Sequence, residues 1–128
     1  LMQDLQEQMD LTYIFITHNL SVVNHLADEI AVMYLGQIVE KAPAVELFEH
    51  PLHPYTEALL SAIPVPSVRE HKEILPLAGE ISSPIDPPEA CRFAPRCPHA
   101  TERCRKENPK LLDTGGEHFV ACFLCGQK

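Results

Sequence analysis

The sequence predicts an α/β fold followed by a small, irregular extension rich in proline and cysteine. Three observations carry that expectation. Short apolar runs rich in β-branched residues alternate with stretches whose apolar residues recur at helical spacing. The prolines, twelve against five glycines, concentrate between Pro64 and Pro109. Cys91, Cys97, Cys104 and Cys122 stand in the last third at a spacing that suits a metal-cluster site, with Cys125 left over.

Taken in order, residues 3–10 read as the tail of a polar helix. Thr12-Tyr-Ile-Phe-Ile-Thr17 has an uninterrupted apolar centre and reads as a strand buried on both faces, as in a parallel sheet covered by helices. Leu20, Val23, Leu26 and Ala27 recur at helical spacing, with Asn19 or Ser21 as the cap. Glu29–Leu35 reads as a second buried strand, with Met33 and Tyr34 in the core. Gly36-Gln37 forms the turn into Ile38-Val39-Glu40. A short helix starts near Pro43, and another runs from Pro54 through Ile63 until Pro64 and Pro66 stop it. His53-Pro54 is the loop-to-helix junction, with Tyr55 packing back on the first half. Residues 64–88 read as linker, Ala100–Lys106 as a short helix and Phe119–Leu124 as a terminal strand.

The two halves differ in charge. Residues 1–62 hold one base, Lys41, against nine acids, which accounts for the whole net charge of −8; residues 63–128 hold nine of each. Neither half is basic enough to make nucleic acid the default partner. No apolar run approaches the roughly 20 residues that a membrane-spanning helix needs. The chain opens on Leu1, so it is expected to begin inside a longer polypeptide. Six of the ten bases, Arg92, Arg96, Arg103, Arg105, Lys106 and Lys110, surround the first three cysteines, and they are expected to stabilise thiolates there.

His18 follows directly on the strand Tyr13–Thr17. Ligands of open α/β sheets bind beyond the carboxyl ends of strands, where an imidazole can donate to an anionic group. The same position also suits a helix cap or a plain surface residue. For the cysteines, disulfides, zinc, an iron–sulfur cluster and unliganded thiols all compete. Only Cys122-Phe-Leu-Cys125 has the paired form usual for zinc, without a matching upstream pair. The looser C-x₅-C-x₆-C of Cys91, Cys97 and Cys104 suits ligands drawn from separate turns.

The stretch from Tyr13 to Glu40, with Thr17-His18-Asn19-Leu20 at its centre, resembles the end of the ATPase domain of ABC transporters. Pro51-Leu-His-Pro-Tyr-Thr-Glu-Ala-Leu-Leu-Ser-Ala-Ile-Pro64 is similar to the segment that opens the C-terminal extension of the oligopeptide and dipeptide branch of that family. Gly79–Pro98 and His118–Cys122 resemble later parts of the same extension. The resemblance implies residues 1–63 as the C-terminal part of a P-loop ABC ATPase domain and 64–128 as the cysteine-bearing extension. It implies His18 as the switch histidine that contacts the γ-phosphate of ATP. The family more often has Asp where Asn19 stands, and often Gly where Lys41-Ala42 stands.

The resemblance further implies a [4Fe–4S] cluster on Cys91, Cys97, Cys104 and Cys122, with zinc as the alternative. Disulfides suit neither the reducing compartment of such an ATPase nor a chain without a visible signal peptide. No G-x-x-x-x-G-K-[ST] loop occurs, so the residues that hold ATP and Mg are expected upstream, and this stretch alone is expected to be inactive. The implied partners are permease subunits, a second ATPase subunit and, indirectly, a solute-binding protein, at the cytoplasmic face of the membrane. A stand-alone iron–sulfur or zinc module is the competing reading. The chain alone, with sheet edges lacking neighbours, is expected to self-associate.

Overall fold

The fold was derived from a computed structural model that describes residues 1–63, 77, 79, 83 and 85–125. Its centre is a four-stranded antiparallel sheet of order β1-β2-β4-β3, built from β1 (Glu29–Tyr34), β2 (Gln37–Pro43), β3 (Leu112–Asp113) and β4 (Phe119–Val120). The parallel arrangement expected from the apolar runs is therefore replaced by hairpin pairing. β1 and β2 are two residues apart, and Leu35 and Gly36 between them both take positive φ, 45° and 79°. That is the backbone of a primed two-residue turn, whose twist matches the strands it joins. The turn sits one residue earlier than Gly36-Gln37.

β1 alternates strictly. Ile30, Val32 and Tyr34 point into the core, while Glu29, Ala31 and Met33 face out, so Met33 is exposed and not a core residue. The strand is half-buried because helices cover one face only. β2 breaks alternation. Val32 pairs with Glu40 and Met33 with Ile38, leaving Val39 as the extra residue of a bulge. A bulge re-aims side chains, and here both Val39 and Glu40 turn inward.

The core comprises Ile30, Val32, Tyr34, Val39, Ala42, Ala44, Leu47 and Phe93. Helix α3 (Ala44–Glu49) contributes Ala44 and Leu47 and is tied to the strand entrance by Ala44 N–H donating to the Asp28 carbonyl. Pro43 is the cap of this helix and not its first residue. Helix α4 (Pro54–Ser61) starts with Pro54 at its first position, and its cap is the His53 imidazole, whose Nδ1 accepts from Tyr55 N–H at 3.1 Å. Tyr55 packs on Tyr34 with ring centroids 4.7 Å apart, as the junction reading expected. The helix ends at Ser61, two residues short of Ile63.

Phe93, 1% exposed, stands edge-on to Tyr34 at 5.2 Å and lies 5.5 Å from the rings of Tyr55 and His53. Burying such a ring contributes about 1.5–3 kcal/mol, and it fastens the cysteine segment to the hairpin. Arg92 adds a second tie, Nη1 donating to the Leu35 carbonyl in the β1–β2 turn.

Helix α1 (Met2–Met9) and helix α2 (Leu20–Leu26) bury no residue. Asn19 caps α2, its side chain accepting from Ser21 N–H at 3.1 Å. Residues 12–17 form no strand. Ile14 is 89% and Ile16 99% exposed. A strand buried on both faces needs ladder partners and covering helices, and no described residues supply them here. The expected helix over Ala100–Lys106 reduces to a 3₁₀ turn, Arg103–Arg105, and a second such turn spans Ala94–Arg96. The expected strand Phe119–Leu124 is two residues of β4 followed by the 3₁₀ turn Phe123–Cys125. Most of the expected linker, residues 64–88, lies outside the described residues.

Candidate functional site

His18 sits at an exposed corner between two local hydrogen bonds. Asn19 N–H donates to Thr17 Oγ1 at 3.0 Å, and the Asn19 side chain then caps α2. These bonds compete with continued strand or helix and fix the bend at His18. The imidazole itself is presented to solvent at the start of α2.

The cysteines form a separate site, and His18 does not line it. Cys91, Cys97, Cys104 and Cys122 all line one recess of about 300 Å³, counted with its open mouth, whose walls include His53, Phe93 and Pro109. Four separate pieces of chain deliver them. Cys91 N–H donates to the carbonyls of Cys104 and Glu107 at 2.9 and 3.0 Å, joining the first and third cysteines through backbone. The turn Ala94–Arg96 leads directly into Cys97, and Ala100 N–H returns to the Cys97 carbonyl at 3.3 Å. Cys122 arrives from β4, whose partner β2 fixes its height through Ala121 N–H donating to the Val39 carbonyl at 2.8 Å. Thr101 Oγ1 lies 3.2 Å from Cys104 Sγ.

Electrostatics at the recess differ from the expectation that basic neighbours would stabilise thiolates. Burial pushes the thiols of Cys91 and Cys97 up and that of Cys122 up to about 12; mutual repulsion among the sulfurs adds to it. What opposes burial is backbone: N–H groups of Phe93 and Ala94 toward Cys91, of His99 toward Cys97, and of Leu124 toward Cys122. Three of the six bases bond elsewhere. Arg92 holds the hairpin turn, Arg103 pairs with Glu107 at 3.0 Å and stacks over Phe123, and Lys106 pairs with Glu102. Among the described residues, no three His, Cys, Asp or Glu side chains converge as ligands of one metal ion.

A buried polar network backs the recess, and sequence reasoning did not single it out. Glu40, wholly buried, accepts from Leu52 N–H at 2.7 Å and from His53 N–H at 3.0 Å, and its Oε1 meets His118 Nε2 at 2.7 Å. His118 Nδ1 lies 3.6 Å from Glu46 Oε1. Burial lowers the His53 imidazole from 6.5 to about 4, partly offset by Glu40. A neutral ring suits its task, since Nδ1 accepts the cap bond. The network joins β2, the α3–α4 loop and the residue before β4, so it holds the last cysteine in register with the first half. Alternation counted from an inward Val39 puts Glu40 outward, whereas in the sheet Glu40 pairs with inward-facing Val32 and shares the face of Ala42, so no sequence pattern signalled its burial.

Residues 39–104 match the family described as oligopeptide/dipeptide transporter, C-terminal region. The chain is 50% identical over 96% of its length to the dipeptide transport ATP-binding protein DppF of Haemophilus influenzae. It is 53% identical over 99% of its length to the di/tripeptide transport ATP-binding protein DppF of Pseudomonas aeruginosa. It is 48% identical over 97% of its length to the oligopeptide transport ATP-binding protein AppF of Bacillus subtilis. It spans 38%, 39% and 38% of those proteins respectively.

Proposed function

This chain belongs to the oligopeptide/dipeptide transporter C-terminal region family, and from that premise we propose that it is the C-terminal part of the ATP-hydrolysing subunit of a peptide ABC importer. The observation that carries the proposal is the identity of about half over nearly the whole chain to ATP-binding subunits named for dipeptide and oligopeptide transport. In this reading residues 1–63 complete an ATPase domain and residues 64–128 are its extension. ATP and Mg are held by residues outside this stretch. The subunit works with a second ATPase subunit and membrane-embedded permeases at the cytoplasmic face, and takes peptides delivered by a binding protein.

His18 is then the switch histidine. Phosphoryl transfer needs placed charge and an in-line water more than covalent help. An imidazole at an exposed corner, held by a cap on one side and a threonine turn on the other, can reach a terminal phosphate. It donates a hydrogen bond there, and its carbonyl and amide neighbours do not have to move. The exposed Ile14, Phe15 and Ile16 await ladder partners in the complete domain, and the chain alone self-associates through them.

Cys91, Cys97, Cys104 and Cys122 hold a [4Fe–4S] cluster in the recess. The backbone N–H groups aimed at three of the sulfurs support that reading, since such bonds stabilise cluster charge. When bound, the group supplies cross-links that hold a proline-rich segment in one shape. In the full-length subunit, His18→Ala is expected to abolish ATP hydrolysis while nucleotide binding persists; unchanged turnover refutes the assignment. Anaerobic protein is expected to carry iron and acid-labile sulfide, and stoichiometric zinc without sulfide refutes the cluster.

A further inference from the structure

Cys125 has no part in the ligand set. It lies across one 3₁₀ turn from Cys122, its N–H donating to the Cys122 carbonyl at 3.3 Å. Cys125 Sγ donates to the Leu52 carbonyl at 3.6 Å. Cys122 lines the recess, and Cys125 does not. Cys122 therefore stands between two sets of sulfurs, with Cys91, Cys97 and Cys104 on one side and Cys125 on the other. Two cysteines separated by two residues on a tight turn are the arrangement in which intracellular disulfides open and close as redox devices.

We propose that Cys122 and Cys125 are a reversible dithiol–disulfide pair, so that Cys122 serves either the recess or the disulfide but not both. The pairing stands on the turn geometry alone; its consequence for the recess rests on the cluster reading above. A small-molecule disulfide is the oxidant. Cys125, the more exposed of the two, attacks one sulfur of oxidised glutathione as a thiolate and expels the first glutathione thiolate, leaving a mixed disulfide. Cys122 then displaces the second glutathione. Two protein thiols and one small disulfide become one protein disulfide and two small thiols. Burial pushes both thiols up and leaves little thiolate, so the exchange is slow and the measurement belongs at equilibrium.

The test uses the full-length subunit, equilibrated over a series of reduced-to-oxidised glutathione ratios, acid-quenched, alkylated and digested with trypsin. Leu111–Lys128 contains no internal Lys or Arg and carries both cysteines on one peptide. The expected result in iron-free protein is an unalkylated form of this peptide, two hydrogens lighter, that grows with oxidised glutathione and disappears on adding dithiothreitol. Cys125→Ser abolishes it, and Cys91→Ser leaves it. In iron-loaded protein, iron loss and the lighter peptide rise together, and Cys125→Ser needs more oxidised glutathione for the same iron loss. A peptide alkylated at both positions throughout, or disulfides confined to Cys91, Cys97 and Cys104, overturns the pairing. A closed disulfide with iron fully retained overturns the sharing of Cys122. Protein that takes up no iron under any condition refutes the cluster reading, and the peptide masses still decide the pair.

Discussion

Tyr13–Ile16 and β1 are similar stretches of chain with opposite fates. Both are short, apolar and rich in strand-forming residues. β1 buries Ile30, Val32 and Tyr34, whereas Ile14 and Ile16 are almost fully exposed. The difference lies in what stands nearby. β1 meets its partner after a two-residue turn, and α3 covers one of its faces. Loop closure over two residues is cheap, and the ladder satisfies backbone groups at once. Tyr13–Ile16 has no ladder partner among the described residues. Strand propensity is chiefly a statement about fitting a pleated, half-buried surface, and it is silent until such a surface exists.

Four substitutions or conditions test that contrast. The largest effect is expected from Glu40→Ala. It strips His118 of its carboxylate and leaves Leu52 and His53 N–H groups buried and unpaired, a loss of about 3–5 kcal/mol. Denaturant unfolding gives the loss, and amide exchange at Leu52 and His53 should accelerate. Stability unchanged within error would remove Glu40 from the framework. Ile30→Ala, which empties part of the core, is expected to cost about 2–5 kcal/mol by the same measurement.

Acid comes next. The unfolded chain protonates His53 near pH 6.5, while the folded chain resists until about pH 4. Between those values the unfolded state binds more protons, so stability is complete above about 6.5 and falls as the pH drops toward 4. The loss approaches about 3 kcal/mol. Comparing urea midpoints at pH 7.5 and 4.5 with those of His53→Asn, which does not titrate, isolates this contribution; parallel profiles would disprove it. The smallest effect is expected from Ile16→Ala in the chain kept dilute enough to be monomeric, within about 0.5 kcal/mol. A cost resembling that of Ile30→Ala would mean that residues 12–17 are packed after all.

Much of the layout was legible before any coordinates. The cap at Asn19, the junction at His53-Pro54, the proline start of α4 and the hairpin at Gly36 follow from local stereochemistry, because each depends on neighbours within a few residues. The set of four cysteines was also legible, and they do line one recess. Glu40 and His118 were not. They stand 78 positions apart, and the pairing of Glu40 with inward-facing Val32 decides that Glu40 turns inward. The thiol environment was misjudged for a related reason. Basic residues near cysteines in sequence are near one another along the chain, but a long side chain bonds where its own turn aims it.

By itself, then, the order of residues determined what short-range geometry can determine: helix starts, the tight turn, the family likeness and the candidate donors. Tertiary structure alone decided that the sheet pairs antiparallel, that Phe93 seals the first half to the cysteine segment, and that backbone N–H groups rather than arginines face the thiols. Those outcomes depend on which surfaces meet across long stretches of chain, where closure entropy and burial compete and no local pattern announces the winner.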